Sequence, residues 1–372
     1  IAFARLGKDA QALAALDLAI ALADSNRDAG FGDDQRLGWE FERSLAMLMR
    51  PGRHKESGAA ILETARRSRE QLGPDHPLTL RAGLFASDYI EDQRARTARV
   101  REIERATRSP AFEKTTIRMH ALRYYAGTLS RAGEHAEAAE AFASAYELST
   151  SSLGVDHTQS IKLQFKLAES LIDSGRADTG AETLRDTLRR AHDVMGPASG
   201  TLTGMQRRAV NAYLRAGAGD EAIMVARLFA DNSAAQYGEN SIPHVSAFQE
   251  LGRAYIESGR PSEGLETLRR ILPLREQQWG GDHAQTAYTL RAIADAHLAL
   301  GDWEQADAFA ARAIDALPIS SPSHYLAGIT RVLALRNAGR TDEAAGLEDR
   351  LRDDAVRSGA PRHITDLLGS SE

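Results

Sequence analysis

Five glycines, Gly133, Gly175, Gly217, Gly259 and Gly301, stand at a constant interval of 42 residues. A second ladder, Gly154, Gly196, Gly238 and Gly280, has the same spacing and is offset from the first. Each period therefore holds two glycine turns and two segments between them. Self-similarity at a period between about 20 and 50 residues marks a repeat array, in which a single unit cannot bury its apolar face without a neighbour. The 372 residues read as one array that grows by adding units. Such a chain is expected to hold another macromolecule.

The unit from Gly154 to Gly196 shows how a period is built. Ile161, Leu163, Phe165, Leu167, Ala168, Leu171 and Ile172 place apolar residues at helical spacing. Ser174-Gly175-Arg176 stops that helix, with glycine where a left-handed cap is needed, and a second amphipathic helix begins near Ala181. Pro51, Pro74, Pro77, Pro110, Pro197, Pro243, Pro318, Pro322 and Pro361 all fall in expected turns; Pro273 lies inside a helix and is expected to kink it. The pattern gives out in two places. Between Gly73 and Gly154 the spacing is 81 residues and the glycine expected near Arg94 is absent, so the unit over 77–110 is degenerate. The last unit is shortened, because Gly339 follows Gly301 by 38 residues. Gly7 and Gly52 mark two earlier turns, giving nine candidate units, and a cap with a frayed tail is expected beyond Leu351.

These residues resemble the tetratricopeptide repeat in its long 42-residue form, as found in kinesin light chains and bacterial signalling proteins. The family's small first-helix residue matches Ala126, Ala168, Gly252 and Ala294, and its bulky position matches Leu129, Leu171, Tyr255 and His297. The small residue opening the second helix matches Ala138, Gly180, Ala222, Gly264 and Ala306. The inter-repeat turns Leu72-Gly73-Pro74-Asp75-His76, Leu153-Gly154-Val155-Asp156-His157 and Trp279-Gly280-Gly281-Asp282-His283 are similar to the long form's motif. The resemblance implies an all-α, right-handed superhelix of about nine helix-turn-helix repeats. It divides the chain into partly degenerate units over 1–109, a regular array over 110–317, and a shortened last repeat with capping helix and tail over 318–372.

Chemistry is scarce. No cysteine is present, which excludes disulfides and thiol catalysis, and no run approaches the roughly 18 apolar residues of a membrane helix. A formal charge of −6 gives no global case for direct nucleic-acid or membrane binding, and cytoplasmic residence is expected. The Asp-His pairs at 75–76, 156–157 and 282–283 lie a repeat apart, whereas metal ligands must converge within about 2 Å of one point. Asp is expected to cap the following helix, with Ala198-Ser199 and Glu239-Asn240 at equivalent places. Gly217-Ala218-Gly219-Asp220-Glu221-Ala222 spells a dinucleotide fingerprint, but a helix precedes it where a strand is required. His192 and His297 fall at packing positions. No catalytic residue, metal or cofactor is assigned, and the segment is not expected to be an enzyme.

By resemblance, the first helices flank a concave groove. The offsets transfer to His120, Arg123, Tyr124 and Arg131; to Lys162, Phe165, Lys166 and Glu169; to Arg207, Arg208, Asn211 and Arg215; to Gln249, Arg253 and Ile256; and to Tyr288, Arg291 and Asp295. Basic residues dominate this set, which suits a protein or peptide partner with an acidic segment, since guanidinium forks match carboxylates. Self-association through the end repeats is a second expectation. A third, which the resemblance implies, is a C-terminal regulatory or sensor arm of a larger bacterial serine/threonine kinase or winged-helix transcriptional regulator.

Overall fold

A computed structural model describes residues 9–25, 32–48, 50, 52–113 and 115–369. Ile1, Gly7, Pro51 and the last three residues lie outside the described residues. Among the described residues there is no strand, and the fold class is all-α. The chain divides into two units, Ile1–Thr183 and Leu184–Glu372, with the boundary inside one helix.

The first unit holds α1 (Asp9–Ser25), α2 (Asp33–Leu48), α3 (His54–Leu72), α4 (Pro77–Ala86), α5 (Gln93–Ala106), α6 (Thr116–Arg131), α7 (His135–Leu153), α8 (Thr158–Asp173) and the start of α9 (Ala177–Met195). Its core gathers Leu84, Ile103, Leu122, Leu129 and Phe142, with a smaller cluster around Phe41 and Ile61. The second unit holds the rest of α9, then α10 (Gly200–Arg215), α11 (Gly219–Tyr237), α12 (Ile242–Glu257), α13 (Pro261–Trp279), α14 (Ala284–Leu300), α15 (Trp303–Ala316), α16 (Pro322–Asn337), α17 (Thr341–Ser358) and α18 (Arg362–Gly369). Val245, Leu268, Ile271 and Ile293 form one of its cores, and Tyr325, Leu335, Leu347 and Leu351 another.

The two glycine ladders do different work. After each first helix the amide that follows the turn glycine bonds back to the bulky position: Glu134 N to Leu129 O at 3.0 Å, Arg260 N to Tyr255 O at 2.8 Å, Asp302 N to His297 O at 3.0 Å. That back-bond closes only if the intervening residue is left-handed, and Gly301 has φ 78°, ψ 14°. After each second helix the chain must straighten while φ stays positive, as at Gly280 with φ 93°, ψ 159°, a region open essentially to glycine alone. The small residues between paired helices also have a geometric cause: a Cβ on Gly264 would lie 2.8 Å from the Gly252 carbonyl, so α12 and α13 touch backbone to backbone.

Three expectations are corrected. The caps on the Asp-His turns come from histidine: Nδ1 of His76, His157 and His283 accepts the amides of Leu78, Gln159 and Gln285 at 3.2, 3.1 and 3.1 Å. Aspartate stands one residue too early, since the cap position recurs as Thr115, His157, Ser199, Ser241 and His283. The register partner of Asp282-His283 is therefore Asn240-Ser241, one residue beyond Glu239-Asn240. Pro273 lies inside α13, which runs unbroken for 19 residues, as many as α7 and α11. Beyond Leu351 the chain stays helical to Ser358, and α18 buries Ile364 and Leu368 against Tyr325 and Leu351.

The irregular stretch has its own solution. With no glycine available, α4 stops after 10 residues, a 3-10 turn covers Ser87–Tyr89, and Asp92 caps α5 by accepting the Ala95 amide at 2.6 Å. The Ile90 carbonyl left by this turn accepts Arg96 Nε at 3.0 Å.

Candidate functional site

On α6, Arg123 lays its guanidinium 5.1 Å from the Tyr124 ring centroid, and Tyr124 packs on Phe85 at 5.5 Å. Burial, then Asp88, pushes the Tyr124 hydroxyl up to about 12. His120 is held below the usual histidine range by burial, and further by Arg123 and Arg81. Arg131 is exposed and donates to Thr128 Oγ1 at 3.3 Å. On α8, Lys162 is exposed, and Lys166 is exposed but paired with Glu169 at 3.4 Å. Phe165 is core, 1% exposed, and does not belong to any surface.

In the second unit these positions bond from helix to helix. Arg253 donates to Asn211 Oδ1 and also pairs with Glu250 at 2.7 Å and Glu257 at 3.1 Å. Asn211 Nδ2 in turn donates to the Arg207 carbonyl at 3.4 Å. Gln249 Oε1 accepts Thr289 Oγ1 at 3.0 Å, beside the half-buried Tyr288. Arg291 pairs with Asp295 at 3.1 Å, and Asp295 accepts the Thr330 hydroxyl of α16 at 2.6 Å. Burial pushes the Asp295 carboxyl above the usual range. Arg207 and Arg215 are exposed and Arg208 half-buried. Sequence offsets selected the cations and passed over Glu250 and Glu257. Arg253 and Arg291 are thus charge-compensated, while Arg207 makes no ion pair among the described residues.

One participant was missed from the sequence. Arg275 of α13 is 2% exposed and donates to Ser246 Oγ at 3.0 Å and Gln249 Oε1 at 3.3 Å. No carboxylate meets it, and burial lowers its pKa. Its register partners are Ser149, Ala191 and Ser233, so a column of small residues is broken by one buried guanidinium. That break is visible once repeats are aligned.

Among the described residues no group of three or more potential metal ligands converges. Nor is any helix there long and apolar enough to cross a membrane. His297 is buried, with Nδ1 3.0 Å from Asp302 Oδ2 and Nε2 3.3 Å from Arg269.

The comparisons fit this geometry. Residues 244–318, the segment from α12 to α15, match the family model described as tetratricopeptide repeat. That segment accordingly carries tetratricopeptide repeats. Solved structures similar to it include a Rap protein complexed with competence and sporulation factor, at TM-score 0.50 and 14% identity over 96% of each chain. Others are the nearly identical TPR-like repeats attributed to a kinesin light chain of Podosopora anserina, at 0.47 and 15% over 59% of this chain and 95% of that one, and BtubC (BKLC) from P. vanneervenii, at 0.45 and 17% over 64% and 90%. No curated protein sequence matches the chain. Repeats of this family generally mediate protein–protein interaction.

Proposed function

We propose that the first-helix face of the second unit, α10, α12, α14 and α16, holds an extended or helical segment of a protein partner that carries acidic side chains. The observation behind this reading is the set of bonds between successive first helices, Arg253 to Asn211, Thr289 to Gln249, and Thr330 to Asp295. Side chains fixed before binding lose little rotamer freedom on binding, so they favour recognition. Arg207, exposed and without an ion pair, supplies the uncompensated fork for a carboxylate. At the far end Leu333 of α16 is 40% exposed at the register of Asp295, which suits an apolar residue of the same segment. The occupant is thus acidic at the α10 end and apolar at the α16 end.

The test is fluorescence anisotropy with an array of labelled acidic and charge-reversed peptides, on wild type and the Arg207→Glu, Arg208→Glu double variant. The acidic peptides should bind wild type, weaken as salt rises because exposed charges are screened over about 8–10 Å, and lose about tenfold or more with the variant. Equal binding by both proteins, with helical content unchanged, would defeat the reading.

A further inference from the structure

The second helices carry a feature that the first-helix face does not explain. Between α9, α10 and α11 lies a cavity of about 270 Å³, whose lining includes Leu188, His192, Gln206, Met224, Val225 and Leu228 together with Tyr213 and the charged Arg185, Arg189 and Asp193. All of these belong to the second unit.

Aligning the repeats shows how this one differs. The outward position of Met224 is Glu140, Glu182 and Glu266 in other second helices, and that of Leu228 is Ser144, Asp186, Arg270 and Arg312. Here alone both are apolar, and both remain in water, at 54% and 41% exposed. The register of Gln206 is hydrocarbon at Leu122, Phe248 and Leu290 and a half-buried amide at Gln164, whereas Gln206 holds its amide at 1% exposure. Neither its Nε2 nor its Oε1 has a hydrogen-bond partner, and Nδ1 of His192 on the adjoining wall has none either. A buried amide without partners costs free energy on both its donor and its acceptor, and two apolar side chains in water gain nothing for the fold. Two apolar departures from the repeat pattern and one buried amide without partners, each unfavourable to the folded chain alone, meet at one cavity.

We propose that this cavity is a binding site for a small amide-bearing molecule, a lactam or ureide with an apolar body. An N–H and a C=O side by side on the ligand pair with the Gln206 amide, and the apolar body covers Met224, Leu228 and Leu188. The volume is near the lower end of the roughly 300–1,000 Å³ common for small-molecule sites, which limits the occupant to a compact ring system. This site is independent of the first-helix face: neither Arg207 nor Arg253 lines it.

The experiment is ligand-detected saturation-transfer NMR on the full chain with 3,4-dihydroquinolin-2(1H)-one as probe and its N-methyl derivative as control. Wild type should transfer saturation to the probe, and N-methylation should weaken binding about tenfold, the effect of a lost hydrogen bond at a buried amide. Gln206→Leu, which installs the residue found at Leu122 and Leu290, should abolish the difference between probe and control and raise the melting temperature. The Met224→Glu, Leu228→Arg double variant changes only exposed positions and should lose binding with its circular dichroism unchanged. Absence of transfer to the probe in wild type, equal transfer to probe and control, or unchanged binding in either variant would each overturn the proposal.

Discussion

At the residue scale the informative side chains are those whose chemistry disagrees with their surroundings. His297 occupies the bulky first-helix position that is Leu129, Leu171, Tyr213 and Tyr255 elsewhere, and it is 2% exposed. Burial lowers its pKa most; Asp302 opposes the shift and Arg269 adds to it. The folded value thus lies below the unfolded value of about 6.5, and the unfolded chain binds more protons in between. The stability contributed by neutral His297 is complete above the unfolded value and is lost as pH falls through the lowered folded one. His120 in the first unit acts with the same sign. Urea melts of wild type should therefore weaken steadily on acidification below about pH 6.5, and His297→Leu should flatten that slope. A slope identical in the variant would show that His297 is protonated equally in both states.

At the scale of single helices the histidine caps decide where α4, α8 and α14 begin. His283 accepts the Gln285 amide and stacks on Trp279 with ring centroids 4.7 Å apart, while Asp282 is exposed. His283→Ala should cost about 1 kcal/mol, the usual loss of a cap acceptor, and Asp282→Ala should stay within about 0.5 kcal/mol. Chemical denaturation of the two variants side by side checks the assignment, and the opposite ranking would restore aspartate as the cap. The sequence made the turns legible because positive φ at Gly280 and Gly301 leaves glycine little competition. The cap was misread because aspartate is the commoner capping residue, and only the column Thr115, Ser199 and Ser241 reveals which of the two adjacent residues holds the position. The site was legible as far as register reaches, which named Asn211, Gln249 and Arg253. Charge compensation by Glu250 and Glu257 was not, because it depends on rotamers that a one-dimensional offset does not contain.

Across the whole molecule, a repeat array is held by the intrinsic stability of each pair and by its nearest-neighbour interfaces, so a short pair is a weak joint wherever it lies. In the first unit α4 and α5 have 10 and 14 residues against 16 and 19 for α6 and α7. Besides the apolar core they share, a buried carboxylate ties this pair to the next. Glu104 of α5 is 1% exposed and receives Arg108 of its own helix at 2.9 Å and Arg118 of α6 at 2.9 Å. Arg118 also donates to the Glu104 carbonyl at 3.2 Å and to Thr107 Oγ1 at 3.1 Å, closing the end of α5. Removing Glu104 leaves Arg108 solvated at 63% exposure and Arg118 without its carboxylate at 20%, so the cost falls short of the about 3–5 kcal/mol of a fully buried pair. Hydrogen exchange followed by mass spectrometry should find the amides of 77–106 opening before those of 116–153 in wild type. Glu104→Leu should accelerate exchange over 77–106 strongly while α6 and α7 respond less, since their own interface is untouched. Equal protection across 77–153 in wild type, or a uniform rise in the variant, would mean that the first unit unfolds as one body and that the irregular pair is no joint at all.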